Sequence, residues 1–144
     1  MLVYLDTSAL AKWYLNEAGS DFFVDWVTKQ DDIHISSLTV TEMRCLLARR
    51  KRMDEITPEL ERQIFAIFSE DIERGYLSRH ALLDQHAINA ISLIDQLPQI
   101  ALRTLDAMHL AVARQIGADA IATADKVMIS AARSLDMEVF PFVR

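Results

Sequence analysis

The amino-acid sequence predicts an α/β fold in which helices cover both faces of a parallel β-sheet. Short apolar runs alternate along the chain with longer stretches in which apolar residues recur at helical spacing. Strands that alternate with helices imply right-handed crossover connections, which produce parallel sheets. The chain has 144 residues, of which 51% are hydrophobic and 25% charged, so it can bury a substantial core. We expect residues 1–144 to form a single domain.

Two strands and three helices are predicted in the first third of the chain. The apolar run at residues 2–5 predicts a buried strand, and a helix follows from about Ser8. Apolar residues at helical spacing predict a second helix over residues 22–27. Alternating β-branched residues at 33–35 predict the second strand. The third helix is predicted over residues 39–52, where four apolar residues form a stripe.

The central part of the chain is predicted to contain two helices with a short strand between them. Residues 57–59 (Thr-Pro-Glu) predict a helix start, because they supply a capping hydroxyl, a first-turn proline and an acid near the positive end of the helix dipole. Gly75 is expected to end this helix, and residues 76–77 are predicted as a strand. The next helix ends before Pro98, and we expect four of its apolar residues to face inward: Ala87, Ile88, Ile91 and Ile94.

The last third of the chain is predicted to add two helices and two strands. The helix that opens at Asp106 ends at Gly117, and residues 120–123 are predicted as a buried strand. A short helix over residues 127–135 precedes the last strand at 138–140.

Four acidic residues are predicted to lie at one edge of this sheet. Asp6 directly follows the first strand, and Asp125 follows the strand that ends at Thr123. Glu42 lies one turn into the helix after the second strand, and Asp106 opens the helix that leads into the strand before Asp125. Ligands of open α/β sheets bind beyond the carboxyl ends of the strands, so this edge is the expected binding site.

The electrostatic repulsion within a cluster of four carboxylates must be compensated. At a separation of about 5 Å and an effective dielectric of 20, each pair of like charges costs about 3 kcal/mol. Such a cluster is stable only with raised pKa values or with a bound cation. Oxygen ligands favour Mg²⁺ or Mn²⁺ over zinc, and such an ion suits the hydrolysis of phosphate esters. The net charge of −6 argues against a nonspecific nucleic-acid coat protein but not against a nuclease.

Helix capping is the alternative interpretation of the same acids. Asp6, Asp106 and Asp125 each precede a helical stretch, and aspartate is a favoured N-cap residue. Thr39 and Glu42 have the spacing of a capping box. The residue pattern by itself leaves the two interpretations open.

Four segments that contain these acids span nearly the whole chain. They are residues 3–10 (VYLDTSAL), 35–42 (ISSLTVTE), 105–111 (LDAMHLA) and 122–125 (ATAD). The segments resemble those of the PIN-domain ribonucleases, most closely the VapC-type toxins of bacterial toxin–antitoxin modules, and they occur in the order found in that family.

The resemblance implies a PIN-like three-layer sandwich with a central parallel sheet of about four or five strands. It implies a Mg²⁺- or Mn²⁺-dependent endoribonuclease that hydrolyses RNA phosphodiester bonds, forms a homodimer and is inhibited by a VapB-type antitoxin. The fourth acid, here Asp125, varies in position within the family. Asp119, just before the preceding strand, is a second candidate for it. The implied catalytic and metal-binding residues are Asp6, Glu42, Asp106 and Asp125, with Ser8 and Thr123 as polar neighbours.

Basic residues and histidines add two further expectations. Arg44 and Arg49 belong to the densest basic patch of the chain and are candidate contacts to RNA, although a solvated helix end is the alternative. His109 follows Asp106 by three residues, and we expect it to be packed or hydrogen-bonded rather than a metal ligand.

Two further functions stay open at this point. The chain could be a PIN nuclease that processes RNA without an antitoxin, or a non-catalytic α/β domain that binds partners and uses its acids only as caps. The start of the chain lacks the features of a signal peptide. No segment contains a run of apolar residues long enough to cross a bilayer. We therefore expect a cytoplasmic protein.

Overall fold

The computed structural model describes residues 1–143, and within them five strands form one parallel sheet with helices on both faces. This arrangement confirms the predicted α/β architecture. The elements in chain order are β1 (Val3–Leu5), α1 (Thr7–Tyr14), α2 (Ser20–Val27), β2 (Ile33–Ser36), α3 (Ser37–Arg52), α4 (Pro58–Glu73), β3 (Ser78–His80), α5 (Asp84–Gln96), α6 (Thr104–Gln115), β4 (Ala120–Thr123), α7 (Lys126–Ser134) and β5 (Glu138–Pro141).

The sheet has the strand order β3-β2-β1-β4-β5, and every neighbouring pair is parallel. β1 lies at the centre, where Val3 is in register with Ile33 on one side and with Ala120 on the other. Because all five strands run in the same direction, their carboxyl ends lie along a single edge. The residues that follow β1, β2 and β4 are therefore neighbours in space although they are far apart in sequence.

Two hydrophobic clusters pack against the two faces of the sheet. Val3 and Leu5 belong to a cluster with buried residues of α1 to α4, whereas Tyr4 belongs to a second cluster with α5, α6 and α7. Successive side chains of a strand point to opposite faces, so these three residues of β1 connect both clusters. Ile121 and Ala122 of β4 divide in the same way. The result is the three-layer arrangement that the sequence predicts.

Several predicted helix boundaries are confirmed, and two are wrong. Gly75 follows α4 with φ +81°, a conformation that side-chain-bearing residues rarely adopt. α3 begins at Ser37 rather than at Thr39, and its capping contact joins the backbone N–H of Ser36 to the Thr39 hydroxyl at 3.1 Å instead of involving Glu42. α6 begins at Thr104, so Asp106 is its third residue and not its N-cap. In α3 and α6 the apolar periodicity did not extend to the polar residues of the first turn, so both starts were predicted too late.

The predicted orientation of α5 is wrong. Ile88, Ile91 and Ile94 are exposed, and Ile91 has 61% of its surface accessible. The helix instead buries the opposite side, where Ala90 and Leu93 pack towards the cluster that contains α6. α5 is apolar on both sides, so its periodicity could not decide which side faces the core. Ala87 is exposed together with the isoleucines.

The edge strand β3 also lies outside its predicted position. It comprises Ser78–His80 rather than residues 76–77, and it pairs with β2 through the register of His34 with Ser78. Leu77 is buried just before the strand, and this apolar anchor produced the misplaced prediction. Within residues 1–143, no helix combines the length and the apolar character that crossing a membrane requires.

Candidate active site

The four acidic residues singled out from the sequence lie together at the carboxyl edge of the sheet. They line a small cleft of about 120 Å³. Asp119, the alternative for the fourth acid, lies at the other end of β4, where its carboxylate accepts a hydrogen bond from the Leu2 backbone N–H at 2.7 Å. The cleft is lined by Asp6, Thr7, Ser8, Glu42, Asp106, His109 and Asp125.

Asp6 is almost completely buried and is surrounded by hydrogen-bond donors. Its Oδ1 accepts bonds from the Ser8 hydroxyl at 2.7 Å and from the Ala9 backbone N–H at 3.0 Å, which caps α1. Its Oδ2 accepts a bond from the Thr123 hydroxyl at 2.5 Å. Burial raises the pKa of Asp6, and the charge of His109 and these hydrogen bonds offset only part of that increase. The structure thus brings both predicted polar neighbours into contact with this carboxylate.

Asp125 and Asp106 lie in the first turns of α7 and α6. Asp125 caps α7, because its Oδ1 accepts a hydrogen bond from the Val127 backbone N–H at 2.8 Å. Burial raises the pKa of Asp106, and the negative charges of Asp125 and Asp6 raise it further. Asp106 therefore lies close enough to two other carboxylates for their negative charges to repel its own. This repulsion is expected if the four acids form one cluster.

Glu42 has the opposite electrostatic environment. Its Oε1 accepts a hydrogen bond from the Thr7 hydroxyl at 2.7 Å and a second one from Nε2 of His109. Burial would raise the pKa of Glu42, but the hydrogen bond and charge of His109, together with the Thr7 hydroxyl, lower it. Both donors bind the same oxygen, and Oε2 of Glu42 has no hydrogen-bond partner in the described part of the chain. Glu42 is thus held as a carboxylate with one oxygen available.

His109, Tyr4 and Thr7 contribute to this site although their role was not predicted. The expectation that His109 is hydrogen-bonded is confirmed, but its partners are Glu42 and the Tyr4 hydroxyl, the latter at 2.7 Å from Nδ1. Their positions in the sequence could have indicated that they lie near the site. His109 lies one helical turn after Asp106, and Thr7 is adjacent to Asp6.

Neither predicted arginine lines the cleft. The Arg44 guanidinium bonds to Glu61 at 3.0 Å and lies 5.6 Å from the centre of the Phe65 ring, so it is directed towards α4. Arg49 is exposed on α3, seven residues after Glu42. Seven residues are about two helical turns, which places Arg49 on the same face of the helix at a distance of roughly 10 Å along its axis.

The donor set of the cleft fits a hard divalent cation. All four acids offer carboxylate oxygen, which Mg²⁺ and Mn²⁺ prefer. Oε2 of Glu42 and Oδ2 of Asp125 carry no hydrogen bond within residues 1–143, so each can act as a ligand without losing a protein contact. In those residues, no group of three His, Cys, Asp or Glu side chains is already arranged around one point.

Fold and cleft together define a class of protein. The PIN domain matches residues 3–134, which is most of the chain. The chain belongs to the PIN-domain family.

Individual proteins of known sequence or structure show which members of the family the chain is similar to. The chain is 32% identical over 144 residues to ribonuclease VapC35 of Mycobacterium tuberculosis, an alignment that covers 96% of this chain and 95% of that protein. Its structure is similar to that of the sarcin–ricin loop cleaving toxin VapC20 of M. tuberculosis, with a TM-score of 0.72, 18% identity and coverage of 90% and 94% of the two chains. It is also similar to VapBC2 of Rickettsia felis, with a TM-score of 0.71, 16% identity and coverage of 99% of both chains.

Proposed function

We propose that the chain is a metal-dependent endoribonuclease that hydrolyses RNA phosphodiester bonds and acts as the toxin of a VapBC-type toxin–antitoxin pair. One observation carries this proposal: four acids from distant parts of a PIN-family chain line a single cleft at the carboxyl edge of the sheet. Its similarity to a VapC ribonuclease along nearly the full length of both proteins supports the same activity.

Helix capping alone does not account for the four acids. Asp6 and Asp125 do cap α1 and α7. Glu42, however, is the sixth residue of α3, and its carboxylate contacts side chains of α1 and α6 instead of the first turn of its own helix. Burial raises the pKa of Asp106, and the charges of Asp125 and Asp6 raise it further, which supports an unfavourable electrostatic environment for this carboxylate. This arrangement favours a catalytic site over a non-catalytic partner-binding domain.

Each acid has a separate part in the proposed mechanism. We assign Asp6 and Asp106 as the main ligands of Mg²⁺ or Mn²⁺, with Asp125 and Glu42 completing the site directly or through water. When bound, the ion would neutralise the phosphodiester and increase the acidity of the attacking water. Glu42 keeps a negative charge because His109 and Thr7 stabilise its carboxylate, so its second oxygen can orient that water. Ser8 and Thr123 hold the carboxylate of Asp6 in place.

Contacts to the RNA backbone require positive charge near this acidic cleft. Arg49 shares a helix face with Glu42 and is the better placed of the two predicted arginines, because Arg44 is paired with Glu61. Arg103 and Lys126 are exposed at the starts of the two helices that carry Asp106 and follow Asp125. We assign both as additional phosphate contacts.

The proposal includes two protein partners. The exposed isoleucines of α5 form an apolar stripe of the kind that marks interfaces, which supports a homodimer. Structures similar to this chain include VapBC2 of Rickettsia felis and the VapBC of Salmonella typhimurium, both bound to DNA, and they support a VapB-type antitoxin as the second partner. We place the action in the cytoplasm, where RNA substrate and antitoxin are made.

Cleavage of RNA by the purified chain, free of antitoxin, tests the activity. The assay compares Mn²⁺, Mg²⁺ and a chelator, and it compares the wild type with Asp6→Asn. Asparagine retains the ability to cap α1, so the substitution removes charge with little effect on the helix. Asp119→Asn is the matched control, because it changes the same group at the opposite end of β4.

We expect cleavage by the wild type and by Asp119→Asn only when the metal is present, and no cleavage by Asp6→Asn. Cleavage that persists in Asp6→Asn would come from a contaminant. Absence of Mn²⁺ binding together with absence of cleavage on a broad RNA panel would reject the nuclease function.

A further inference from the structure

We propose that Tyr4 and His109 are positioning residues that set the orientation of the Glu42 carboxylate, an inference that rests on the metal-dependent nuclease function proposed above. The geometry shows a continuous chain of hydrogen bonds from the core of the sheet to the cleft. It runs from the Ser36 hydroxyl to the Tyr4 hydroxyl, from Tyr4 to His109, and from His109 to Glu42. We call these four residues the Tyr4–His109 chain.

The Tyr4–His109 chain is shielded from water along most of its length. Tyr4 and Ser36 are completely buried, and His109 is 2% exposed. The Tyr4 hydroxyl lies 2.9 Å from Oγ of Ser36 and 2.7 Å from Nδ1 of His109. Within residues 1–143, no buried side-chain nitrogen or oxygen lacks a hydrogen-bond partner. Buried polar groups that are fully paired hold one another rigidly, because any other arrangement leaves one of them unsatisfied.

Hydrogen-bond chemistry fixes how this chain acts on Glu42. A carboxylate only accepts hydrogen bonds, so Nε2 of His109 must donate its proton to Oε1 of Glu42. The Tyr4 hydroxyl holds the other ring nitrogen and thereby fixes the plane of the imidazole. The Thr7 hydroxyl donates to the same Oε1, so two donors on two different helices hold one oxygen of the carboxylate.

The consequence is a defined direction for the second carboxylate oxygen. With Oε1 held by His109 and Thr7, Oε2 of Glu42 is the oxygen left for a cation or its bound water. The other acids obtain their orientation differently. Asp6 and Asp125 are held by donors close to them in sequence or by the neighbouring strand end. Glu42 lies in the middle of a helix and depends on residues 35 and 67 positions away.

The first test examines the metal-free protein by NMR, independently of any enzymatic activity. The proton on Nε2 of His109 should give a downfield resonance that is protected from exchange with water in the wild type. Tyr4→Phe should abolish or broaden that resonance, because the ring loses the partner of Nδ1. A wild type without the resonance, or a Tyr4→Phe protein in which it is unchanged, would overturn the proposal.

The second test measures Mn²⁺ affinity by titration calorimetry. Outer residues that orient metal ligands typically change metal affinity by about 10- to 100-fold when they are replaced. We expect a loss of that size for Tyr4→Phe and for His109→Leu. His109→Gln retains an N–H donor that can reach Glu42, so it should recover most of the lost affinity.

Two comparisons make the result specific. Tyr14→Phe removes a hydroxyl that bonds to Asp71 at 2.6 Å on α4, away from the cleft, and it should leave both the His109 resonance and the Mn²⁺ affinity unchanged. If His109→Gln is as defective as His109→Leu, His109 does more than donate a hydrogen bond and the positioning role is wrong. If the wild type binds no Mn²⁺, the nuclease proposal fails, whereas the NMR comparison still tests the hydrogen-bond chain.

Discussion

Replacing Asp106 by asparagine should stabilise the metal-free protein while weakening its affinity for divalent cations. Burial raises the pKa of Asp106, and the charges of Asp125 and Asp6 raise it further. Two carboxylates about 5 Å apart repel by about 3 kcal/mol at an effective dielectric of 20. Water in the open cleft reduces this to about 1 kcal/mol, as it does for exposed ion pairs. A gain of that size corresponds to a rise in Tm of about 2–4 °C for a chain of this length.

This stabilisation should depend on pH in a defined direction. Folding raises the pKa of Asp106 above its ordinary value of 3.8. The protonated form of Asp106 therefore stabilises the folded protein, and this contribution is complete below pH 3.8. The contribution is lost as the pH rises through the folded-state pKa of Asp106. Asparagine carries no charge at any pH. The difference in Tm between Asp106→Asn and the wild type should therefore be small below pH 3.8 and should grow towards pH 7.

Added Mn²⁺ should reverse the order of stability. A ligand at one hundred times its Kd stabilises the folded state by about 2.7 kcal/mol, which exceeds the gain expected from the substitution. Differential scanning fluorimetry with and without Mn²⁺ measures both effects. Asp119→Asn is the control for metal binding and should leave the Mn²⁺ response unchanged, because Asp119 lies at the opposite end of β4. A metal-free Asp106→Asn protein that is less stable than the wild type at pH 7 would refute the electrostatic reasoning, and an undiminished Mn²⁺ response would exclude Asp106 as a ligand.

Three further predictions concern the fold and its surfaces. Ile91→Glu places a charge on the exposed stripe of α5, so it should convert the dimer proposed for the wild type into a monomer in light scattering; a wild-type dimer that persists in the variant would exclude this face. Phe68→Ala empties a fully buried site and should cost about 3–5 kcal/mol in urea unfolding, with a smaller loss indicating that the core collapses around the cavity. The pKa of His80 is lowered by burial and then by the charges of His34 and His86, so stability should fall as the pH drops below about 6.5. His80→Gln should weaken that dependence, and an unchanged pH profile would contradict it.

The sequence was sufficient to place the acids because their position depends on local pattern. Asp6 and Asp125 follow directly from the strands β1 and β4, which are short, apolar and buried. Parallel strands then bring their carboxyl ends to one edge regardless of the length of chain between them. The same argument placed Glu42 and Asp106 at this edge, although both helix starts were misplaced by two residues.

The features that were missed depend on contacts between distant elements. The hydrogen bond between His109 and Glu42 joins α6 to α3 across 67 positions, and the chain offers no spacing that indicates it. The inward face of α5 was missed because both of its sides are apolar, so the choice depends on what packs against each side. An apolar side that is left exposed, as Ile91 is, becomes informative only when the fold shows which side is already covered.

Glu42 is the residue that best separates the catalytic interpretation from the structural one. Asp6 and Asp125 stabilise helices in either case, so a loss of activity on their replacement by alanine would mix two effects. The Glu42 carboxylate does not cap its own helix, and its contacts come from Thr7 and His109. A domain that only bound partners has no need for hydrogen bonds that hold one carboxylate oxygen of Glu42 and leave the other without a partner among residues 1–143. In the nuclease that we propose, that second oxygen would meet the cation or the attacking water.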